Sequence, residues 1–231
     1  MKTIAIIPAR GGSKRIPKKN IKPFLGKPII AYSIEAAFSS NLFDEVMVST
    51  DSEEVAEITK RYGASVPFMR SEKTADDYSV LADVIVEVIN NYKAIGKFFD
   101  VICCILPTAP FITAQRLIEG GNLLDEKNYN SVTPVIRFSY PIQRALQMDA
   151  DKRLSMIYPE NLNVRSQDLA PAYHDSGQFY WGKTNSLLEE RTFFMKNGGA
   201  IVIPENEGQD IDTPEDWQIA EMKYKIIHGF S

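Results

Sequence analysis

The chain of 231 residues holds only two cysteines and two histidines. Cys103 and Cys104 are adjacent within the apolar run Val101-Ile102-Cys103-Cys104-Ile105-Leu106, where they read as small residues of a buried strand. No disulfide framework or zinc site can be assembled from such a pair. No apolar run approaches the roughly 20 residues of a membrane-spanning helix, and none of signal-peptide length precedes the Gly11-Gly12 break, so a cytoplasmic location without a membrane partner is expected. Charge of one sign is also lacking. Lysine and arginine number 26 against 30 acidic residues, a net charge of −4, which argues against a nucleic-acid partner. Two phosphate-binding signatures are missing as well. After Gly11 there is neither the Gly-Lys-Ser/Thr ending of a P-loop nor the third glycine of a dinucleotide fingerprint.

What is present starts at Ile4-Ala5-Ile6-Ile7, a run of strand length broken by Gly11-Gly12 and followed by a basic loop. Arg10, Lys14, Arg15, Lys18 and Lys19 place five positive charges within ten positions. Glycines that take unusual backbone conformations, amides that form an anion-binding concavity and mobile lysines together suit a polyphosphate. The alternative is a solvated basic turn. Further on, Pro28–Phe38 has helical spacing, Glu45–Asp51 reads as a strand with a polar tip, and Ser52-Glu53-Glu54-Val55 opens a helix. Asp51 suits either a site carboxylate at a strand end or a helix cap. Arg70–Ser79 is a polar loop before a helix over Val80–Tyr92, the strand Phe99–Leu106 stops at Pro107-Thr108-Ala109-Pro110, and Phe111–Glu119 continues as a helix. Ser131–Val135 and Ala200–Pro204 read as strands. Asp210 and Asp212 in an extended segment point to one face, and two carboxylates on one face suit magnesium or manganese. Thr213-Pro214-Glu215-Asp216 predicts a capping box opening a helix to Ile227. Between Arg137 and Leu169 the α/β alternation lapses, and mixed apolar and polar residues predict a protruding, strand-rich arm in need of a partner surface.

The opening Ile-Pro-Ala-Arg-Gly-Gly-Ser-Lys-x-Ile-Pro-x-Lys-Asn, the turn Leu-Pro-Thr-x-Pro, the segment Arg165-Ser166-Gln167-Asp168 and the Asp210/Asp212 pair resemble the cytidylyltransferases that activate nine-carbon acidic sugars, the CMP-sialic acid synthetase family. Leu106 stands where sialic-acid members carry glutamine. His174-Asp175-Ser176-Gly177-Gln178-Phe179-Tyr180-Trp181 also departs from their pattern and looks like the branch acting on pseudaminic acid.

The resemblance implies a Rossmann-like three-layer nucleotidyltransferase with a mainly parallel sheet, one domain over 1–231 with 137–169 as a dimerisation arm, and a homodimer. It implies transfer of CMP from CTP to the anomeric hydroxyl of a nonulosonic acid, with Mg2+ or Mn2+ on Asp210 and Asp212. CMP-N-acetylneuraminic or CMP-legionaminic acid synthesis is the alternative, and a non-catalytic nucleotide-sugar-binding protein is the alternative of a different class. By the same resemblance the nucleotide would meet Ala9, Arg10, Gly11, Gly12, Ser13, Lys14, Asn20, Arg70 and Ser79. The sugar would meet Leu106, Arg165, Gln167, His174, Asp175 and Tyr180. Arg10, Lys14, Lys19 and Asp212 would carry catalysis. Arg70 and Ser79 equally fit a surface ion pair and a helix cap, and His174 fits an interior histidine. Phe179, Tyr180 and Trp181 are expected to wall the sugar pocket.

Overall fold

A computed structural model describes residues 1–75 and 80–229. In chain order the elements are β1 (Thr3–Pro8), β2 (Pro23–Phe24), β3 (Lys27–Pro28), α1 (Ile29–Ser40), β4 (Glu45–Ser49), α2 (Glu53–Arg61), α3 (Leu81–Ala94), β5 (Val101–Ile105), α4 (Ala114–Glu126) and β6 (Ser131–Arg137). They continue with β7 (Leu146–Met148), β8 (Leu154–Met156), β9 (Tyr173–Asp175), β10 (Phe179–Lys183), α5 (Thr184–Glu190), β11 (Gly198–Val202) and α6 (Pro214–His228). The main sheet runs β11-β6-β10-β5-β1-β4, with β9 paired to β6. β1, β4, β5, β6 and β11 run one way, whereas β10 and β9 run against their neighbours. The sheet is therefore mainly parallel.

Side-chain alternation along the strands builds three layers. Ala5 and Ile7 of β1 with Val101, Cys103 and Ile105 of β5 pack against α1 and α4 through Ile30, Ile34, Leu117 and Leu124. Ile4, Ile6, Ile102 and Cys104 face the other way, onto Ile85, Val88, Ile89 and Tyr92 of α3 and Leu187 of α5. The two cysteines are thus buried on opposite faces of one strand. The same alternation corrects the reading of Phe179-Tyr180-Trp181. Phe179 and Trp181 lie in the first core and Tyr180 in the second, all buried, so these rings are core and not the walls of a sugar pocket.

A third cluster fixes the site. Ile16 from the basic loop, Phe24, Ile29, Phe111, Ile211 and Trp217 bury one another, drawing the end of the basic loop against the segment before α6. The expected capping box is present. Thr213 accepts from the Asp216 amide, Asp216 accepts from the Thr213 amide, and Pro214 occupies the first turn. After β6, β7 and β8 form a separate two-stranded hairpin on which Leu146, Met148 and Leu154 are all exposed.

Candidate active site

Ligand crevices form outside the carboxyl ends of parallel strands where the strand order reverses, and here β4 and β5 flank β1 on its two sides. Beyond β1 the Ala9 amide donates to the Ser49 carbonyl (2.8 Å) and the Gly11 amide to Asp51 Oδ1 (2.7 Å). Three expectations change as a result. Ala9 is buried and its amide engaged, so that amide is not free to hold a phosphate. Gly11 and Gly12 are not among the glycines at positive φ; Gly11 is required by space, since a Cβ there would sit 2.7 Å from Ser52 Cβ, and only Gly12 faces open space. Asp51 is not the helix cap. Ser52 caps α2 by accepting from Val55 N (3.4 Å), while Asp51 anchors the loop.

A cavity of about 570 Å3 opens above these strand ends. Arg10, Lys14, Arg15, Lys19 and Arg70 line it together with, among the described residues, one carboxylate, Asp212. In a protein of net charge −4 this is a local excess of positive charge, and it suits a polyanion. Ser13, Asn20 and Leu106 line it too, as does Thr108 of the Pro-Thr turn. Asn20 is buried and donates to the Arg10 carbonyl (2.9 Å), bracing the loop across its base. Arg70 donates to Ser49 Oγ (3.1 Å) and to the Ser49 carbonyl (2.6 Å), and burial pulls its pKa down. A guanidinium so placed remains charged and is fixed in direction. Ser79 lies outside the described residues.

Lys19 Nζ donates to the Ile211 carbonyl (2.6 Å) and reaches Asp212 Oδ1 at 3.5 Å, while Arg15 reaches the same oxygen at 2.9 Å. The carboxylate of Asp216 accepts from the Asp212 amide (3.0 Å), so the helix cap also orients Asp212. The residues of 208–212 pair with no strand, although Gly208 and Thr213 at either end of the aspartates are extended. They are irregular, and Asp210 lines a neighbouring pocket of about 330 Å3 with His174, Asp175 and Lys223. Its carboxyl is held above the ordinary aspartate value, first by lost hydration and next by the negative charge of Asp212. The two carboxylates are close enough to repel.

The expected sugar residues are dispersed within one copy of the chain. Leu106 faces the basic cavity, Gln167 lines a separate groove of about 780 Å3 with Phe138 and Arg116, and Arg165 is exposed. His174 is exposed rather than interior; its Nδ1 donates to the Asp175 carbonyl (2.9 Å) and its ring packs on Phe138. Tyr180 is buried and its hydroxyl donates to Asp175 Oδ2; burial and that bond raise its pKa. Arg15, Thr108 and Ser49 were not picked out as site residues from the sequence. Arg15 stood in plain view as one of five cations, but nothing local distinguishes the one that meets Asp212.

Because a raised carboxyl pKa in the fold means that ionisation there opposes folding, Asp210→Asn should raise Tm at pH 7. The gain should vanish as pH falls below about 4, where the aspartate is protonated in both states. A Tm unchanged or lower at pH 7 would contradict the repulsion between Asp210 and Asp212.

A three-layer α/β fold with a cation-lined cavity at the ends of β1, β4 and β5 is that of a nucleotidyltransferase. The cytidylyltransferase family model matches residues 4–188, and the chain belongs to this family. It is 41% identical over 228 residues to a pseudaminic acid cytidylyltransferase of Campylobacter jejuni, covering 99% of this chain and 98% of that protein. It is 32% identical to a CMP-N,N'-diacetyllegionaminic acid synthase of Legionella pneumophila, covering 96% and 95% of the two chains. In three dimensions it superposes on a CMP:2-keto-3-deoxy-manno-octonic acid synthetase solved with CTP, with a TM-score of 0.71 at 19% identity and 100% of both chains covered. Among the described residues no helix is long and apolar enough to cross a membrane.

Proposed function

We propose that this enzyme transfers CMP from CTP to the anomeric C2 hydroxyl of pseudaminic acid. The hydroxyl oxygen bonds to the α-phosphorus, the bond from that phosphorus to the oxygen bridging the β-phosphate breaks, and pyrophosphate and a proton are released. The observation that carries this reading is the basic cavity closed by Lys19 and Asp212, taken with the 41% identity to the Campylobacter jejuni enzyme. Little covalent chemistry falls to the protein. Arg10, Lys14 and Lys19 neutralise phosphate charge and align the leaving pyrophosphate, and Arg70, held by Ser49, sits at the cavity wall where the nucleotide lies.

The donor set fits a divalent cation. Asp210 and Asp212 are two hard oxygen donors whose mutual repulsion a cation would relieve, and magnesium is commonly held by one or two carboxylates with phosphate oxygens supplying the rest. Asp210 and Asp212 would hold the ion, and when bound it would supply charge neutralisation at the phosphates. Pyrophosphate release on mixing the enzyme with CTP, magnesium and pseudaminic acid tests the proposal; no release above the rate without sugar would end it.

The dispersed sugar residues support a second part of this reading, a homodimer built through the 137–169 arm. Leu146, Met148 and Leu154 on the hairpin and Leu162 beyond it are more than half exposed, an apolar set that a two-fold partner would cover. Arg165 and Gln167 on the same arm would then serve the neighbouring site. Light scattering should give twice the protomer mass at micromolar concentration, and Leu146→Asp combined with Leu154→Asp should give monomers. A fully active monomeric wild-type protein is the contrary outcome.

A further inference from the structure

The segment that presents Asp210 and Asp212 has little regular structure, only a 3-10 turn at Glu205–Glu207 before the irregular stretch to Thr213. It is nonetheless gripped from three elements. Arg116 of α4 lays its guanidinium on Glu207, Nε to Oε2 at 3.0 Å and a terminal nitrogen to Oε1 at 3.2 Å, and its other terminal nitrogen donates to Glu119 (2.8 Å). Gln178, the residue before β10, donates through Nε2 to the Glu207 carbonyl. Lys223 of α6 donates to the Gly208 carbonyl (3.0 Å), and Gly208 lies so close to Ile136 that a Cβ would stand 2.4 Å from its Cδ1.

We propose that Arg116 is a positioning residue for the metal-binding carboxylates: its fork on Glu207 holds the 205–208 segment in the one arrangement that sets Asp212 at the basic cavity and Asp210 in the pocket beside it. Arg116 itself does not line that cavity. The pair is suited to this task because a bidentate arginine–carboxylate contact fixes direction as well as distance, which a lysine cannot do. Its side chains are only 24% and 32% exposed, so the contact is less screened than an ordinary surface pair. A site formed by only a fraction of the molecules binds its ligand weaker in proportion to that fraction, so loosening the segment lowers cation affinity without altering a single ligand atom.

The proposal rests on the reading of Asp210 and Asp212 as metal-binding residues, and the test separates the two. Mn2+ binding to the enzyme–CTP complex, followed by electron paramagnetic resonance without sugar, should weaken by about tenfold in Arg116→Met and in Glu207→Gln, and Arg116→Lys should not restore it. The double variant should be no worse than the worse single one, because both remove the same contact. Amide exchange across 205–212 should quicken in all of these variants while β1 and β5 are unchanged. Unaltered Mn2+ binding and exchange in Arg116→Met, with Asp212→Asn weakening Mn2+ binding as a control, would overturn the positioning role alone. Unaltered Mn2+ binding in Asp212→Asn would overturn the metal reading and this inference with it.

Discussion

Asp212→Asn should leave a folded protein whose turnover is reduced by about 10³-fold, the several kilocalories expected when a cation that neutralises phosphate charge loses an anionic ligand. The fold should tolerate the change. Asparagine keeps the volume, Ile211 remains buried in the cluster with Ile16 and Trp217, and the Thr213–Asp216 cap does not use the Asp212 side chain. The Arg15 contact that is lost joins exposed groups, a class of pair worth about 0–1 kcal/mol. Lys19 keeps its bond to the Ile211 carbonyl. Activity should therefore fall with Tm little changed, as measured by pyrophosphate release beside a thermal melt. Near-normal activity at saturating magnesium would contradict the assignment.

The second large effect concerns the sugar. With pseudaminic acid, kcat/KM should exceed that with N-acetylneuraminic acid by at least about a hundredfold, a few kilocalories of differential contact. Pseudaminic acid carries a second amide and a terminal methyl where sialic acid carries a glycerol tail, so its site needs more apolar contact and fewer hydroxyl partners. On the proposed reading Leu106, which lines the cavity half-buried and with its backbone fixed by bonds to Ser33 and Gln178, would supply that contact. A leucine there leaves the hydroxyls of a glycerol tail without a partner. Rejection of an added hydroxyl by an apolar wall is weaker than rejection of a missing one by a polar site, so residual use of sialic acid is compatible with this expectation. Leu106→Gln should narrow the ratio. Assays of CMP-sugar formation with the two acids side by side decide it, and equal or better use of N-acetylneuraminic acid would return the chain to the sialic-acid branch.

Unlike β9, β10 and α5, the strands β1, β4, β5, β6 and β11, the helices α1 to α4 and α6, the buried cysteine pair, the cap at Thr213 and the basic character of residues 10–19 were legible along the chain. Each is a local property: period-two or helical spacing, a side chain three residues from the amide it caps, or charges that are neighbours in sequence. The lapse of alternation after Arg137 was legible for the same reason, and the hairpin of exposed apolar residues stands there. Other features depend on contacts between distant segments. Tyr180 read as a pocket wall because strand residues of one aromatic run look alike until the layers decide which faces are covered; β10 lies inside the sheet with a core cluster on each face, so both are. Asp51 looked like a cap because its role as an anchor depends on Gly11, 40 residues away. Lys19 and Arg15 meet Asp212 across almost the whole chain because Ile16 and Ile211 share one apolar cluster. Arg116 gave no local sign, since its partner Glu207 is 91 residues distant. Sequence alone determined which chemistry the chain carries, because charge, glycine and carboxylate spacing are written in order. Which of those groups face one another was decided by the burial of apolar side chains from separate elements, which no linear pattern records.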